Sequence, residues 1–437
     1  MKTDAKPGDY VEVEIEGQKH RGVLMPRPDG SGDVMSLKLD SGYNMGIEVG
    51  KIKSVKKIQK ELVVKDFPAP PVKKDPKLPK ITILHTGGTI ASKVDYRTGA
   101  VYSSFTPEDL LQAFPELSRI ANFDSKLIRN MWSDDLRFAH FGLIAEAVKK
   151  ECDAGANGVI IGMGTDNLAV ASAALAFILE ECPIPVIFVG AQRSSDRGSS
   201  DAGMNLICAA KFIAKTDFAG VALCMHESEK DDFCVILPAC KTAKLHSSRR
   251  DAFKAVNAQP IARIGYTTDK IDFLAKSYTT KSGKKCVIRP KMEDTVGLLK
   301  ISINMFPGQF EAFKGFKGLV IEGTGLGHTP GHTPDEISQA NKGIFPAIKS
   351  LIDSGCVVVM TTQCLFGRVN MNVYDKGKDL LKLGVIPGED MLANTALVKL
   401  SWLLGSYTTE EAKKLISKNL RGEISERSEE GFEARCV

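Results

Sequence analysis

The stretch Ile81-Thr82-Ile83-Leu84-His85-Thr86-Gly87-Gly88-Thr89-Ile90 decides the fold, because an apolar run stops abruptly at a glycine pair between hydroxyl residues. The construction returns at Gly158-Val159-Ile160-Ile161, which leads into Gly164-Thr165-Asp166. Short apolar runs bounded by turn residues read as buried strands of a parallel sheet. Ligands of open α/β sheets bind at the carboxyl ends of strands, so the two loops are expected to converge on one pocket. Two threonines, an aspartate and Gly-rich backbone are parts suited to acyl transfer. They do not suit a phosphate cradle: no Gly-Lys-Ser/Thr follows Gly88, and the third glycine of a dinucleotide fingerprint is missing.

Outward from these loops the chain keeps one rhythm. Leu168 to Glu181 is rich in Ala and Leu and reads as a helix, Pro183-Ile184-Pro185 breaks it, and Val186-Ile187-Phe188-Val189-Gly190 resumes as a strand. A helix from Asn205 to Lys215 and a strand at Gly220-Val221-Ala222-Leu223-Cys224 follow. Such alternation predicts a doubly wound parallel sheet, here over residues 80–275. A second α/β unit is expected over 296–420, with strands at Gly318 to Glu322 and Cys356 to Met360 and helices at Pro334 to Asn341 and Thr395 to Leu404. The Lys-rich stretch around Asp269 to Arg289 reads as a linker or hairpin between the units, centred on 276–295.

The first 64 residues have a different character. Asp9-Tyr10-Val11-Glu12-Val13-Glu14-Ile15 alternates with period two, and Gly17, Gly30, Gly32 and Gly42 punctuate further short strands. This predicts a small all-β, barrel-like domain. Residues 65–79 form a Pro-rich linker, and the charged tail 421–437 is expected to fray.

Bulk properties narrow the class. The ten cysteines stand singly with no CxxC pair, which points to reduced thiols and argues against a zinc site. No run approaches the roughly 20 apolar residues of a membrane helix, and Met1 to Pro7 has no secretory character, so a cytoplasmic location is expected. A net charge of +5 over 437 residues permits a nucleic-acid partner without indicating one. The basic cluster Lys51, Lys53, Lys56, Lys57 and Lys60 reads first as a solvated face.

Taken singly, each candidate has an ordinary explanation. Gly87-Gly88 makes a turn with Thr89 as helix cap, and Gly-Thr-Asp is a common helix start. The chemical reading makes a threonine hydroxyl the nucleophile, which needs a base to take its proton. A lysine can serve once its surroundings favour the neutral form. Lys244 and Lys241 both follow the next strand, and spacing alone does not choose between them.

The ordered set Ile83-Leu84-His85-Thr86-Gly87-Gly88-Thr89-Ile90-Ala91, Gly164-Thr165-Asp166 and Gly190-Ala191-Gln192-Arg193-Ser194 resembles the asparaginase/glutaminase family over roughly residues 80–420. Within it, Asp95 to Val101, Lys244 to Phe253, Gly367 to Tyr374 and Gly384 to Met391 are similar to the D-type subunits of archaeal glutamyl-tRNA(Gln) amidotransferases. That type also carries an extra N-terminal β domain. The resemblance implies Thr89 as nucleophile, with Thr165, Asp166 and Lys244 as second hydroxyl, orienting carboxylate and base. It implies Ser133 and Asp134 as binders of the substrate's α-carboxylate and α-amino groups, with backbone amides near Gly88 and Thr165 facing the oxyanion. It also implies an assisting tyrosine, for which Tyr102 fits the spacing better than Tyr96. The family's usual histidine before Gly-Thr-Asp is Met163 here, and its threonine after the aspartate is Asn167.

The same resemblance implies a glutaminase subunit that needs no cofactor of its own. ATP and Mg would be used by an E-type kinase/transamidase partner, which would hold most of Glu-tRNA(Gln). A homodimer inside an α2β2 heterotetramer is expected. A stand-alone L-asparaginase and a silent scaffold are the alternative expectations.

Overall fold

The computed structural model describes residues 4–25, 33–39, 44–58, 75–87, 92–94, 101–103, 114–193 and 200–427. The N-terminal strands are β1 (Tyr10–Ile15), β2 (Gln18–Leu24), β3 (Val34–Leu39), β4 (Asn44–Glu48) and β5 (Ile52–Lys57). Their alternation buries Val11, Val13, Leu37 and Ile47 on one face, as the period-two pattern requires. The domain is all-β, as expected. Its antiparallel strands lie in the order β4-β3-β2-β1-β5, and no pairing among the described residues joins the two ends of the sheet into a closed barrel. Exposed Lys53, Lys56 and Lys57 line edge strand β5, and charged edges resist further pairing.

The first α/β unit contains β6 (Lys80–His85), β7 (Ser92–Val94), β8 (Val101–Ser103), β9 (Asn122–Leu127), β10 (Gly158–Gly162), β11 (Leu179–Glu181) and β12 (Pro185–Val189). It continues with β13 (Gly220–His226), β14 (Phe233–Pro238), β15 (Thr242–Lys244), β16 (Phe253–Ala255), β17 (Ala262–Gly265) and β18 (Ile271–Phe273). Eight of these form one sheet in the order β18-β17-β14-β13-β12-β10-β6-β9. The sheet is parallel from β9 to β13, and β14, β17 and β18 add an antiparallel flank. Both faces are covered. Val159 and Ile161 of β10 enter the core under helices Phe138–Asp153 and Leu168–Ile178, whereas Ile160 enters the core under helix Ala202–Lys215.

Past β19 (Val287–Ile288), the second unit is a four-stranded parallel sheet, β20 (Val296–Lys300), β21 (Gly318–Gly323), β22 (Val357–Thr362) and β23 (Ile386–Pro387), in chain order. Its helix Ala393–Ser406 packs on Leu168–Ile178 of the first unit, with Trp402 stacked on Phe177 at 5.7 Å, so the units share one core. The stretch before it is packed against the first unit: β19 pairs with β11, and Lys281 Nζ donates to Ile213 O and Thr216 O, both at 2.8 Å.

Two expectations are corrected. The helix expected over Pro334 to Asn341 is a 3₁₀ segment at Ile337–Gly343, where Ile337 is 88% exposed and no apolar stripe is buried to hold an α-helix. The tail does not fray over 420–427. Glu423 is fully buried against Lys399 at 2.6 Å, and Arg421 Nε donates to Ala176 O at 3.0 Å. Residues 428–437 lie outside the described set, as does the Pro-rich linker up to 74.

Candidate active site

β6 and β10 are parallel neighbours, with His85 opposite Gly162, so their carboxyl-end loops start side by side. Main-chain bonds stitch these loops together. Thr86 N donates to Gly162 O at 3.1 Å, Met131 N to Thr86 O at 3.0 Å, and Met163 N to Val189 O at 3.2 Å. Gly87 adopts φ +98°, and a Cβ there would stand 3.0 Å from Asn130 Oδ1 and Met131 O, so glycine fits twice over. Gly164 is equally confined, since a Cβ would meet Ser133 Oγ at 3.0 Å.

Three of the candidate groups meet. Lys244 Nζ donates to Thr165 Oγ1 at 3.0 Å and to Asp166 Oδ1 at 2.6 Å. Thr165 is 9% exposed whereas the Asp166 side chain is 61% exposed, so the group runs from the core to the solvent. Lys244, not Lys241, is the lysine that reaches Thr165 and Asp166. Lys241 is 1% exposed and turns to Asp390 of the second unit at 2.5 Å.

Ser133 and Asp134 share the 3₁₀ turn Ser133–Asp135 beside this group. Asn167 holds the turn: its Nδ2 donates to Ser133 O at 2.9 Å and its N to Ser133 Oγ at 3.4 Å. The asparagine that departs from the family pattern therefore ties the Ser133 turn to the Thr165 loop. Met163 is fully buried among apolar side chains of the first core, which explains how a thioether is accommodated there.

Gly88, Thr89 and Tyr96 lie outside the described residues. Tyr102 lies in β8, opposite Lys93 of β7.

Residues without an assigned role complete the surroundings. Thr165 Oγ1 stands 3.5 Å from Gln192 Oε1, and Gln192 Nε2 is buried without a partner. Buried Asp201 accepts from Gln192 N and Arg193 N, both at 3.0 Å, fixing the loop after β12. Asn205 Nδ2 donates to Asp201 and to Gly190 O, and Asn205 Oδ1 meets His226 Nδ1 at 2.6 Å. Burial holds His226 and His85 below the usual histidine range. The signal for Asp201 and Asn205 was their four-residue spacing at a helix start, which is too common to stand out. No group of three His, Cys, Asp or Glu side chains among the described residues is placed to hold a metal. No helix among them is long and apolar enough to cross a membrane.

Residues 80–278 match the family described as Asparaginase, N-terminal, residues 295–416 the Glutaminase/Asparaginase C-terminal domain, and residues 5–58 the GatD N-terminal domain. The D subunit of the glutamyl-tRNA(Gln) amidotransferase of Pyrococcus furiosus is 45% identical, over 96% of this chain and 94% of that protein. The chain belongs to the family of glutamyl-tRNA(Gln) amidotransferase D subunits. A further relative of that name, from Methanococcus maripaludis, is 43% identical over 96% of this chain and 98% of its own length. Among solved structures, the L-asparaginase of Thermococcus kodakarensis superposes with a TM-score of 0.68 at 29% identity, covering 79% of this chain and 99% of that one. L-asparaginase I of Vibrio cholerae gives 0.67 at 26% identity, covering 80% and 99%. This member of the D-subunit family thus joins an asparaginase-like body to the GatD N-terminal domain.

Proposed function

We infer that the chain is the glutaminase subunit of a glutamyl-tRNA(Gln) amidotransferase, releasing ammonia from glutamine for the conversion of Glu-tRNA(Gln) to Gln-tRNA(Gln). The observation that carries this is Lys244 Nζ held between Thr165 Oγ1 at 3.0 Å and Asp166 Oδ1 at 2.6 Å, on a near full-length match to D-subunit relatives.

In this reading Thr89, which follows the neighbouring strand in sequence, attacks the side-chain amide carbon of glutamine. Its proton passes through Thr165 to Lys244 as base. Asp166 orients that lysine. The carbon–nitrogen bond breaks, the leaving nitrogen takes the proton back, and ammonia departs from a glutamyl ester on Thr89. Water enters by the same relay and releases glutamate. Backbone amides near Gly88 and Thr165 stabilise the oxyanion in both steps. Ser133 and Asp134 hold the α-carboxylate and α-amino groups, and Tyr102 is the assisting tyrosine.

The ammonia passes to an E-type partner, which spends ATP with Mg to activate the glutamate on tRNA. That partner provides most contacts to Glu-tRNA(Gln), in an α2β2 assembly built on a homodimer of this chain.

The deciding experiment measures ammonia release from glutamine and from asparagine, by the chain alone and with partner, ATP and Glu-tRNA(Gln). Low release that rises sharply on glutamine with the complete set supports the reading. Strong asparagine hydrolysis by the chain alone, indifferent to the partner, replaces it with an asparaginase carrying an extra domain. Silence in every mixture replaces it with a scaffold.

A further inference from the structure

The buried charges that the proposed chemistry leaves unused cluster where the two α/β units meet. Lys241 stands three residues before Lys244, in the turn Ala239–Lys241 that runs directly into β15. Its ammonium is 1% exposed and donates to Asp390 Oδ2 at 2.5 Å and to Ser425 Oγ at 3.2 Å. Asp390 is itself 5% exposed, and its other oxygen accepts from Ser425 N at 3.0 Å. Ser425 Oγ donates to Asn257 O at 3.3 Å, and Asn257 Nδ2 donates to Asp390 O at 3.2 Å. The adjoining carbonyl is gripped too, because Thr395 Oγ1 donates to Cys240 O at 3.1 Å.

Each member of this cluster has its polar partners within the protein, which is the condition for a buried ion pair to be tolerated. Apolar residues would bind the units at least as strongly, so stability alone does not account for the charge. Directional bonds do something that apolar contact does not: they fix one register and one orientation. What they fix here is the segment that presents the base. β15 is three residues long and, among the described residues, pairs with no strand but β16, so little else in the sheet holds it. A main-chain bond from Val256 N to Lys241 O at 2.7 Å ties the far side of the same residue.

We propose that Lys241 is a positioning residue for the glutaminase reaction: clamped by Asp390 and Ser425 of the second unit, it sets the position of Lys244 against Thr165. The inference rests on the proposed function, since it assigns Lys244 the role of base. The second unit and the segment 420–427 thereby take part in the chemistry while contributing no group to the reacting atoms. A displacement of about 1 Å at a catalytic group lowers rate by about 10²-fold without weakening substrate binding, so the effect belongs in kcat.

The test uses the full chain with its partner, ATP and Glu-tRNA(Gln), and reads glutamine-dependent ammonia release with thermal unfolding of each variant. Wild type is assayed first. No release from glutamine by wild type removes the glutaminase reading itself, and the clamp with it. With wild type active, Lys241→Met is expected to lower kcat by about 10²-fold with the glutamine KM unchanged. Lys241→Arg restores most of it, because a guanidinium can donate to both Asp390 and Ser425.

Lys241→Met combined with Asp390→Leu removes both charges and is expected to recover folding stability but not kcat. Ser425→Ala keeps the ion pair and lowers kcat roughly fivefold, the rate equivalent of one hydrogen bond. It also carries the test should Lys241→Met fail to fold. Recovery of kcat together with stability in the double variant, or wild-type kcat in Ser425→Ala, overturns the proposal.

Discussion

Lys241 and Lys244 stand three residues apart on one short segment, yet they reach carboxylates in different units, Asp390 at 2.5 Å and Asp166 at 2.6 Å. One pair is sealed in the core and the other opens to solvent, so their losses have opposite signatures. Lys244→Met is expected to lower ammonia release by about 10²- to 10⁴-fold, the usual contribution of a positioned acid–base group. Its melting temperature should stay close to wild type, because the Asp166 partner is largely exposed. Unimpaired release in this variant would remove Lys244 from the chemistry.

The proposed nucleophile is tested by Thr89→Ala. Glutamine-dependent release is expected to vanish while circular dichroism and thermal unfolding remain those of wild type. Measurable turnover of glutamine in this variant would remove the assignment.

Packing around the second hydroxyl is tight enough to be read by a single methyl group. A Cβ at Gly190 would stand 2.8 Å from Thr165 Cγ2 and 3.3 Å from Met163 O. Gly190→Ala is therefore expected to cost about 1–3 kcal/mol of stability. It should also lower kcat by pushing Thr165 away from Lys244. Normal kcat in a protein of normal stability would show that the loop has more freedom than these distances allow.

The second buried ion pair anchors the segment that carries Ser425, and its loss is read first in stability. Lys399 and Glu423 are both fully buried at 2.6 Å, and Lys399 Nζ also donates to Ile416 O at 2.7 Å and Lys418 O at 2.5 Å. Glu423→Ala strands a buried cation, so thermal and urea unfolding should show a loss of about 3–5 kcal/mol. A loss below about 1 kcal/mol would indicate that segment 420–427 is not held as described.

His226 makes a pH prediction of definite sign. Burial, the largest influence, holds its pKa below the ordinary 6.5, with Asp231 opposing. As pH falls below that value the unfolded chain takes up a proton that the folded chain refuses, so stability is lost on the acid side. Its contribution is intact above the unfolded value and is lost progressively down to the folded one. In His226→Gln the fall in melting temperature between about pH 7 and pH 5 should be shallower than in wild type. An unchanged slope would mean that His226 does not carry it; His85, also held low by burial, would then be the candidate.

Much of the fold was legible because apolar runs ending in Gly-Thr elements announce strand–loop junctions, and β6 and β10 lie where Ile81 to Leu84 and Gly158 to Ile161 placed them. Thr165, Asp166 and Lys244 were legible through motif order, and the structure brings them together. The two lysines were indistinguishable in sequence because identical side chains in one basic loop differ only in what faces them, and Asp390 is 149 residues away from Lys241. The tail was misjudged for a related reason. Arg421 and Glu423 look like solvated charges until partners distant in sequence bury them. The order of the N-terminal strands, β4-β3-β2-β1-β5, was equally hidden, since strand count and turns do not say which strands pair.

The C-terminal segment emerges from the ribosome after every residue it touches. Arg421 meets Ala176, Glu423 meets Lys399, and Ser425 meets both Lys241 and Asp390. Domains fold largely in the order in which they are made, so each α/β unit can form while the bond network that joins them is still incomplete. The segment bearing Lys244 gains its bond to Ser425 only when synthesis has passed residue 425. On the proposed reading, a nascent chain without that bond would hold its parts in order and Lys244 out of place, so ammonia production would begin only once the two units are joined.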